Sequence, residues 1–315
     1  MLFSPVQMHI PDGFLSTLVA LVFWAITLPV IGAALKKTNR TLGEREVPLM
    51  GVLAAAIFAG QMLNFTVVGG TSGHLLGAAI ATILLGPWPA ILVMTVVVST
   101  QALLFQDGGL IVLGANLFNM AIVGVAVSYL VYRIVLKLSV GNRWGVLGGG
   151  FAAAWSSIFI ASLSCALQLA VSGTSPANIA VPAMAGIHAL IGIGEGLITV
   201  GALAFVYAAK RELLTQPFAK DTRGILAGGG VLALALAGLS PLASSHPDGL
   251  EWVAEQNGFL ALAREPFYNI IPDYVLPGLA NEAIATIAAG VIGAIVVFIV
   301  ALGVARNQKK TKSTG

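Results

Sequence analysis

Charge is the scarcest commodity in this chain: of 315 residues only 9% are Asp, Glu, Lys or Arg, against 57% hydrophobic. A soluble domain carries roughly 25% charged residues, so a water-soluble globule is excluded and an integral membrane protein is expected. Cysteine is nearly absent too. The single Cys165 lies in an apolar run, which rules out a disulfide framework and a cysteine metal cluster. There is no G-x-x-x-x-G-K-[ST] phosphate loop and no H-E-x-x-H zinc motif. The inner loops are too short to hold a nucleotide-binding domain. The chain is therefore not read as an enzyme, and any ATP-driven step falls to another subunit. The first apolar run has its positive charges after it rather than before it, unlike a cleaved signal peptide.

What is present is a series of runs long enough to span a bilayer, for which about twenty apolar residues suffice. They fall near 15–35, 48–68, 88–106, 110–136, 145–171, 183–209, 224–243 and 280–304, with a shorter one at 74–86 between Gly69-Gly70 and Gly86-Pro87. The expectation is an all-α polytopic protein of nine crossings, the N-terminus outside and the C-terminus inside. That orientation puts 15 of the 16 basic residues inside, in clusters such as Lys36-Lys37, Arg133 to Arg143 and Lys210 to Arg223, and leaves only Arg264 outside. Positive charge on the inner loops is the usual sign of topology, and it explains the net charge of +3 without any nucleic-acid partner. Omitting the short third crossing would put two clusters on the wrong side. The best domain boundary is Lys210 to Arg223, which separates seven crossings from two that flank an outer segment, Ser244 to Leu279. Glycines at 148–150 and 228–230 read as close helix approach.

The stretch Met8-His9-Ile10-Pro11-Asp12-Gly13-Phe14 carries the strongest chemistry. If Met8 begins the mature chain, its amine, the His9 amide and His9 Nδ1 form two fused chelate rings, and three nitrogens lie nearly in a plane. A planar nitrogen set suits Ni(II) or Cu(II). The alternative is an interior Met8 with His9 at a membrane interface. His74, which opens the third crossing on the same side after the capping stretch Thr71-Ser72-Gly73, is the expected fourth ligand. Asp12 either orients a ligand or forms the turn. Intramembrane polar side chains are costly, and Asn64, Gln101, Asn116, Asn119 and His188 all fall near the outer ends of their helices. They either surround the chelator or make isolated helix–helix hydrogen bonds. His188 and Glu195 share a helix face about 10 Å apart. Glu195 is expected to act structurally or conformationally.

Met8 to Ser16 resembles the amino terminus of the CbiM/NikM family, the substrate-binding components of energy-coupling factor transporters for cobalt and nickel. Gly73-His74-Leu75-Leu76-Gly77, Gln106-Asp107-Gly108-Gly109, Gly114 to Met120 and His188 to Gly196 are similar to family motifs as well. The similarity covers residues 8–215. Residues 216–315, with Pro247-Asp248-Gly249-Leu250-Glu251, resemble the small NikN/CbiN-type component, which implies a fused chain. In the family the terminal amine, the second-residue His and a later His bind the metal, and these map onto Met8, His9 and His74. Residues 1–7 depart from the family pattern and are expected to be a mis-assigned start or leader. The resemblance implies a seven-helix substrate-specificity bundle plus two helices in a bacterial or archaeal inner membrane. It also implies Ni(II) or Co(II) as cargo rather than cofactor, and a coupling transmembrane protein and two ATP-binding cassette ATPases as partners. Competing readings are a stand-alone ion-coupled carrier, with Glu195 as a proton relay, and a non-transporting metal receptor or metallochaperone.

Overall fold

The computed structural model describes residues 8–41, 46–139, 142–210, 222–264 and 266–313. The expected leader at 1–7 and residues 211–221, at the heart of the expected boundary, lie outside them. In chain order the elements are α1 (Thr17–Thr41), α2 (Glu46–Gln61), a hairpin of β1 (Phe65–Val67) and β2 (Thr71–Gly73), α3 (Ala78–Leu85), α4 (Pro87–Thr100), α5 (Leu113–Leu117), α6 (Gly124–Leu138), α7 (Arg143–Val171), α8 (Ala177–Lys210), α9 (Thr222–Leu239), α10 (Gly249–Gln256) and α11 (Glu282–Ser313). Two π-type turns, Gln101–Phe105 and Phe118–Val123, extend α4 and join α5 to α6. Such turns concentrate at functional sites, and these two flank the loop 106–112.

Among the described residues six helical stretches are long and apolar enough to cross a bilayer: Thr17–Asn39, Pro87–Phe105, Leu113–Leu138, Arg143–Val171, Ala177–Ala208 and Glu282–Gln308. The apolar stretches Glu46–Gln61 and Ala227–Leu242 are shorter. This is a polytopic membrane protein. Lipid tails are as apolar as Leu, so helix contact in a membrane relies on close packing rather than on escape from water. Small residues provide it here: Gly150 lies under Leu203, Gly196 under Phe151 and Gly229 under Val52. Gly148, Gly228 and Gly230 face open space instead, so only part of each expected glycine cluster serves helix approach. Leu18, Leu21, Leu130 and Leu138 are exposed on α1 and α6, as lipid-facing side chains should be.

The fold is helical as expected, apart from one short hairpin in which β1 and β2 pair antiparallel, Phe65 opposite Gly73. One expectation needs correction: the run at 74–86 is not one helix. His74 to Gly77 continue from β2 without regular structure and only Ala78–Leu85 is helical, about 12 Å of helix against a hydrocarbon core of about 30 Å. What starts α3 is a carboxylate from another helix: Glu195 of α8, fully buried, accepts the Leu76 and Gly77 N–H groups at 2.7 and 3.1 Å. Those N–H groups have no partner within α3 itself, and a negative group suits a helix N-terminus. Glu195 is a helix cap.

One end of the bundle gathers Met8–Phe14, the hairpin, the loop 106–112 and the segment after α9. Ser244 N donates to Asn64 O at 2.8 Å, Ser72 N to Pro247 O at 2.8 Å and Arg264 N to Asp12 O at 2.8 Å. The opposite end carries Lys37 over the Trp88 ring, 3.9 Å from its centroid, and Arg143 over Tyr207.

Candidate metal site

Met8, His9 and Ile10 are only 4%, 5% and 3% exposed, so this stretch is a built part of the molecule and not a loose leader. It lies along the loop 106–112. The Asn116 amide accepts Ile10 N–H and donates to Ile10 O, both at 3.0 Å, and Gly109 N donates to the same oxygen at 2.9 Å. The approach is close enough to require Gly108 and Gly109. A Cβ on Gly108 would lie 2.8 Å from His9 Cβ, and one on Gly109 would overlap Asp12. Asp12 accepts the Leu110, Ile111 and Val112 N–H groups at 3.1, 3.0 and 3.1 Å. Asp12 thereby ties the end of the loop 106–112, up to the residue that opens α5, to the amino-terminal stretch. It does not border the cavity described below.

Three nitrogens converge on one atom. Met8 N lies 2.7 Å, His9 N 3.2 Å and His9 Nδ1 3.1 Å from Asp107 Oδ1. These are the three donors that a terminal Met-His chelate would use. His9 Nε2 is buried without a partner. The His74 ring stands edge-on to His9 with centroids 5.9 Å apart, and His74 Nδ1 is 3.1 Å from Leu75 O. A proton on that nitrogen leaves the other imidazole nitrogen bare as a ligand. Burial pulls His9 down, but Asp107 outweighs it and holds His9 above its ordinary value. Burial raises Asp107, yet His9, Tyr274 and the Met8 N–H together bring it below the usual carboxylate range. Among the described residues no three His, Cys, Asp or Glu side chains form a metal-holding group.

Beneath this cluster lies a cavity of about 70 Å³, bordered by Met8, His9, His74, Asn116, Asn119 and His188. Six of the nine expected site residues are thus together. Asn119 is locked by Gln168 and Ser164: it donates to Gln168 Oε1 at 2.9 Å and accepts from Gln168 Nε2 at 2.7 Å and Ser164 Oγ at 2.8 Å. It shapes the floor with no hydrogen-bonding capacity to spare on its oxygen. His188 Nδ1 is 2.9 Å from Met184 O. Asn64 and Gln101 are buried but do not border the cavity. Asn64 holds the segment after α9 through its main-chain carbonyl, and Gln101 lies beside the Tyr274 hydroxyl.

Sequence reasoning missed Asp107, Asp248 and Tyr274. Asp248 reaches the cavity wall from the segment after α9 while capping α10, where it accepts Glu251 N–H at 2.7 Å. Burial pushes its carboxyl well above the usual range. The signal for Asp107 and Asp248 was their position in the Gln106–Gly109 and Pro247–Glu251 motifs. Tyr274 gave none.

Residues 9–213 match the CbiM family, described as the cobalt uptake substrate-specific transmembrane region, and residues 223–310 match the PDGLE domain. A protein of Archaeoglobus fulgidus that bears the name of a fused nickel transport protein NikMN is 38% identical over 305 residues, 96% of this chain and 98% of that one. The fused nickel transport protein NikMN of Rhodobacter capsulatus is 35% identical, over 79% of this chain and 76% of its own. A crystal structure described as a transition metal transporter superposes with a TM-score of 0.58 at 34% identity, covering 69% of this chain and all of that one.

Proposed function

The chain belongs to the CbiM family of metal-uptake proteins in its NikMN-type fused form, and on that premise we propose that it is the substrate-specificity subunit of an ATP-driven importer, taking Ni(II) or Co(II) from the outer face. It is a multi-pass transport component and works on metal ions without being an enzyme. One observation supports the finer reading above others: Met8 N and His9 N donate to Asp107 Oδ1, and His9 Nδ1, hydrogen-bonded to Asp107 O at 3.2 Å, lies 3.1 Å from the same oxygen. Three nitrogens gathered around one point are what a chelated cation requires, and a carboxylate oxygen holds that point here. In a chain that starts at Met8, the first of these nitrogens is an amine. The incoming ion displaces the Asp107 oxygen from it, and the His9 amide gives up its proton. Neutral His74 supplies a further nitrogen. Asp107 and Asp248 keep negative charge or acceptor oxygens beside the cation throughout. The planar set of nitrogens favours nickel, with cobalt as the second cargo.

In this reading the end carrying Met8–Phe14 faces outward, the basic end inward, and the chain passes the membrane nine times, α3 with the unwound segment before it making the third passage. Residues 8–215 form the metal-binding unit and residues 216–315 the accessory one, with residues 1–7 preceding the mature start. A coupling membrane protein and two ATPases supply the energy. Uptake of labelled nickel by cells making this chain with and without those partners tests it. Accumulation should depend on active ATPases. Equal accumulation without them would indicate a carrier driven by an ion gradient, and binding without accumulation would indicate a receptor.

A further inference from the structure

Besides Asp248 at the cavity wall, the accessory unit places a second side chain next to the carboxylate that the chelating nitrogens meet. Tyr274 lies between α10 and α11, has no exposed surface, and donates its hydroxyl proton to Asp107 Oδ2 at 2.5 Å. The other oxygen of that carboxylate, Oδ1, is the atom on which Met8 N, His9 N and His9 Nδ1 converge. A carboxylate free at both oxygens could rotate about its Cβ–Cγ bond. With Oδ2 fixed by Tyr274, Oδ1 has one place to be. The tyrosine is itself held rigidly. Its ring stacks on Phe105 with centroids 4.8 Å apart and planes 17° apart, and it lies near Phe58 of α2. The backbone around it is tied to the π-type turn that precedes Asp107: Ile271 N donates to Leu104 O at 3.0 Å and Tyr268 Oη to Ala102 O at 3.2 Å. Asp273 and Tyr274 adopt φ of 50° and 57°, a left-handed pair that non-glycine residues seldom take and that costs free energy. That conformation aims the Tyr274 ring into the bundle.

We propose that Tyr274 is a positioning residue for metal capture: by fixing Asp107 it sets the geometry in which the amino-terminal nitrogens meet the ion, so that the C-terminal unit tunes the affinity of a site to which it gives no ligand. This rests on the chelate reading above. Partners one shell out from a metal ligand typically change affinity 10–100-fold when removed, and Tyr274 acts through such a partner.

The test uses the full chain beginning at Met8, purified in detergent, with NiCl2 as the probe. Tyr274→Phe keeps the stacked ring and removes only the hydroxyl. It should weaken nickel binding by about tenfold or more, shift the ligand-field absorption of the bound ion, and leave the metal-free melting temperature within a few degrees. In an Asp107→Asn background the same substitution should have little further effect, since the two residues act as one unit. An unchanged dissociation constant and spectrum in Tyr274→Phe would overturn the proposal while the chelate reading stands. So would a loss equally large in the Asp107→Asn background, because the hydroxyl would then act through general folding. A wild-type chain that binds neither nickel nor cobalt would remove the chelate reading and this proposal with it.

Discussion

Asn116 pairs with Ile10 as a neighbouring β-strand would, accepting its N–H and donating to its carbonyl at 3.0 Å each. One buried amide thereby fixes the register of the whole amino-terminal stretch against α5, and His9 comes next to it.

That pairing makes Asn116 vulnerable. Asn116→Leu leaves the Ile10 N–H buried without a partner, at a cost of about 1–3 kcal/mol, while Ile10 O keeps only the Gly109 N–H. Nickel affinity should fall about 10–100-fold, measured by calorimetric titration. Asn116→Asp, which keeps the acceptor and loses the donor, should fare no better because it adds a buried charge.

The start of the chain should matter more than any side chain except His9. A chain retaining Met1 to Gln7, or one acetylated at Met8, has an amide where the chelate needs an amine, and its nickel affinity should drop by more than the 10–100-fold expected of an outer-shell change. His9→Ala should do the same. Full binding by an extended chain, its mass verified, would remove the amine from the ligand set.

Acid should weaken binding from an unusually high pH. Asp107 favours protonated His9 and holds its titration above the ordinary value, which is about 6.5. Protons therefore compete with the ion at His9 before they would at a free histidine, and affinity is lost as pH falls through that raised value. Titrations between pH 8 and pH 5.5, in buffers of different ionisation enthalpy, should show proton release on binding. A flat affinity across that range would point to carboxylate ligands instead.

Glu195 separates two transport mechanisms. Both its oxygens are taken up by Leu76 and Gly77 N–H groups, the work of a cap. Glu195→Gln keeps one acceptor and should support nickel uptake within about threefold of wild type, whereas Glu195→Ala should lower stability by about 1–3 kcal/mol for each N–H left bare. Intact binding with no uptake in Glu195→Gln would make it a proton carrier.

The sequence carried its clearest information where the chemistry is local. Met8 and His9 are adjacent, so a chelate could be read from them directly, and His74 follows a short capping stretch. Asp12 looked equally local, as part of a Pro-Asp-Gly turn, yet its carboxylate serves three donors about a hundred residues away. No spacing in a single sequence encodes that. Asp107 and Tyr274 are 167 residues apart, and a tyrosine in an acidic outer segment has nothing to mark it as buried. The run at 74–86 misled for a physical reason: it is apolar throughout, but its start is extended and its helix is begun by a glutamate on α8. Hydropathy reports the environment of such a run without reporting how its N–H groups are satisfied.

If the ion binds where we propose, the place of Asp107 Oδ1 among the same nitrogens makes the protein its own competitor. The receptor at rest is already bound to an internal anion, and every entering cation must evict it while every departing one is chased by its return. For a buffer or a storage protein that would be a defect. For a carrier, which fails as surely by holding on as by never catching hold, it sets a ceiling on residence time without sacrificing any donor.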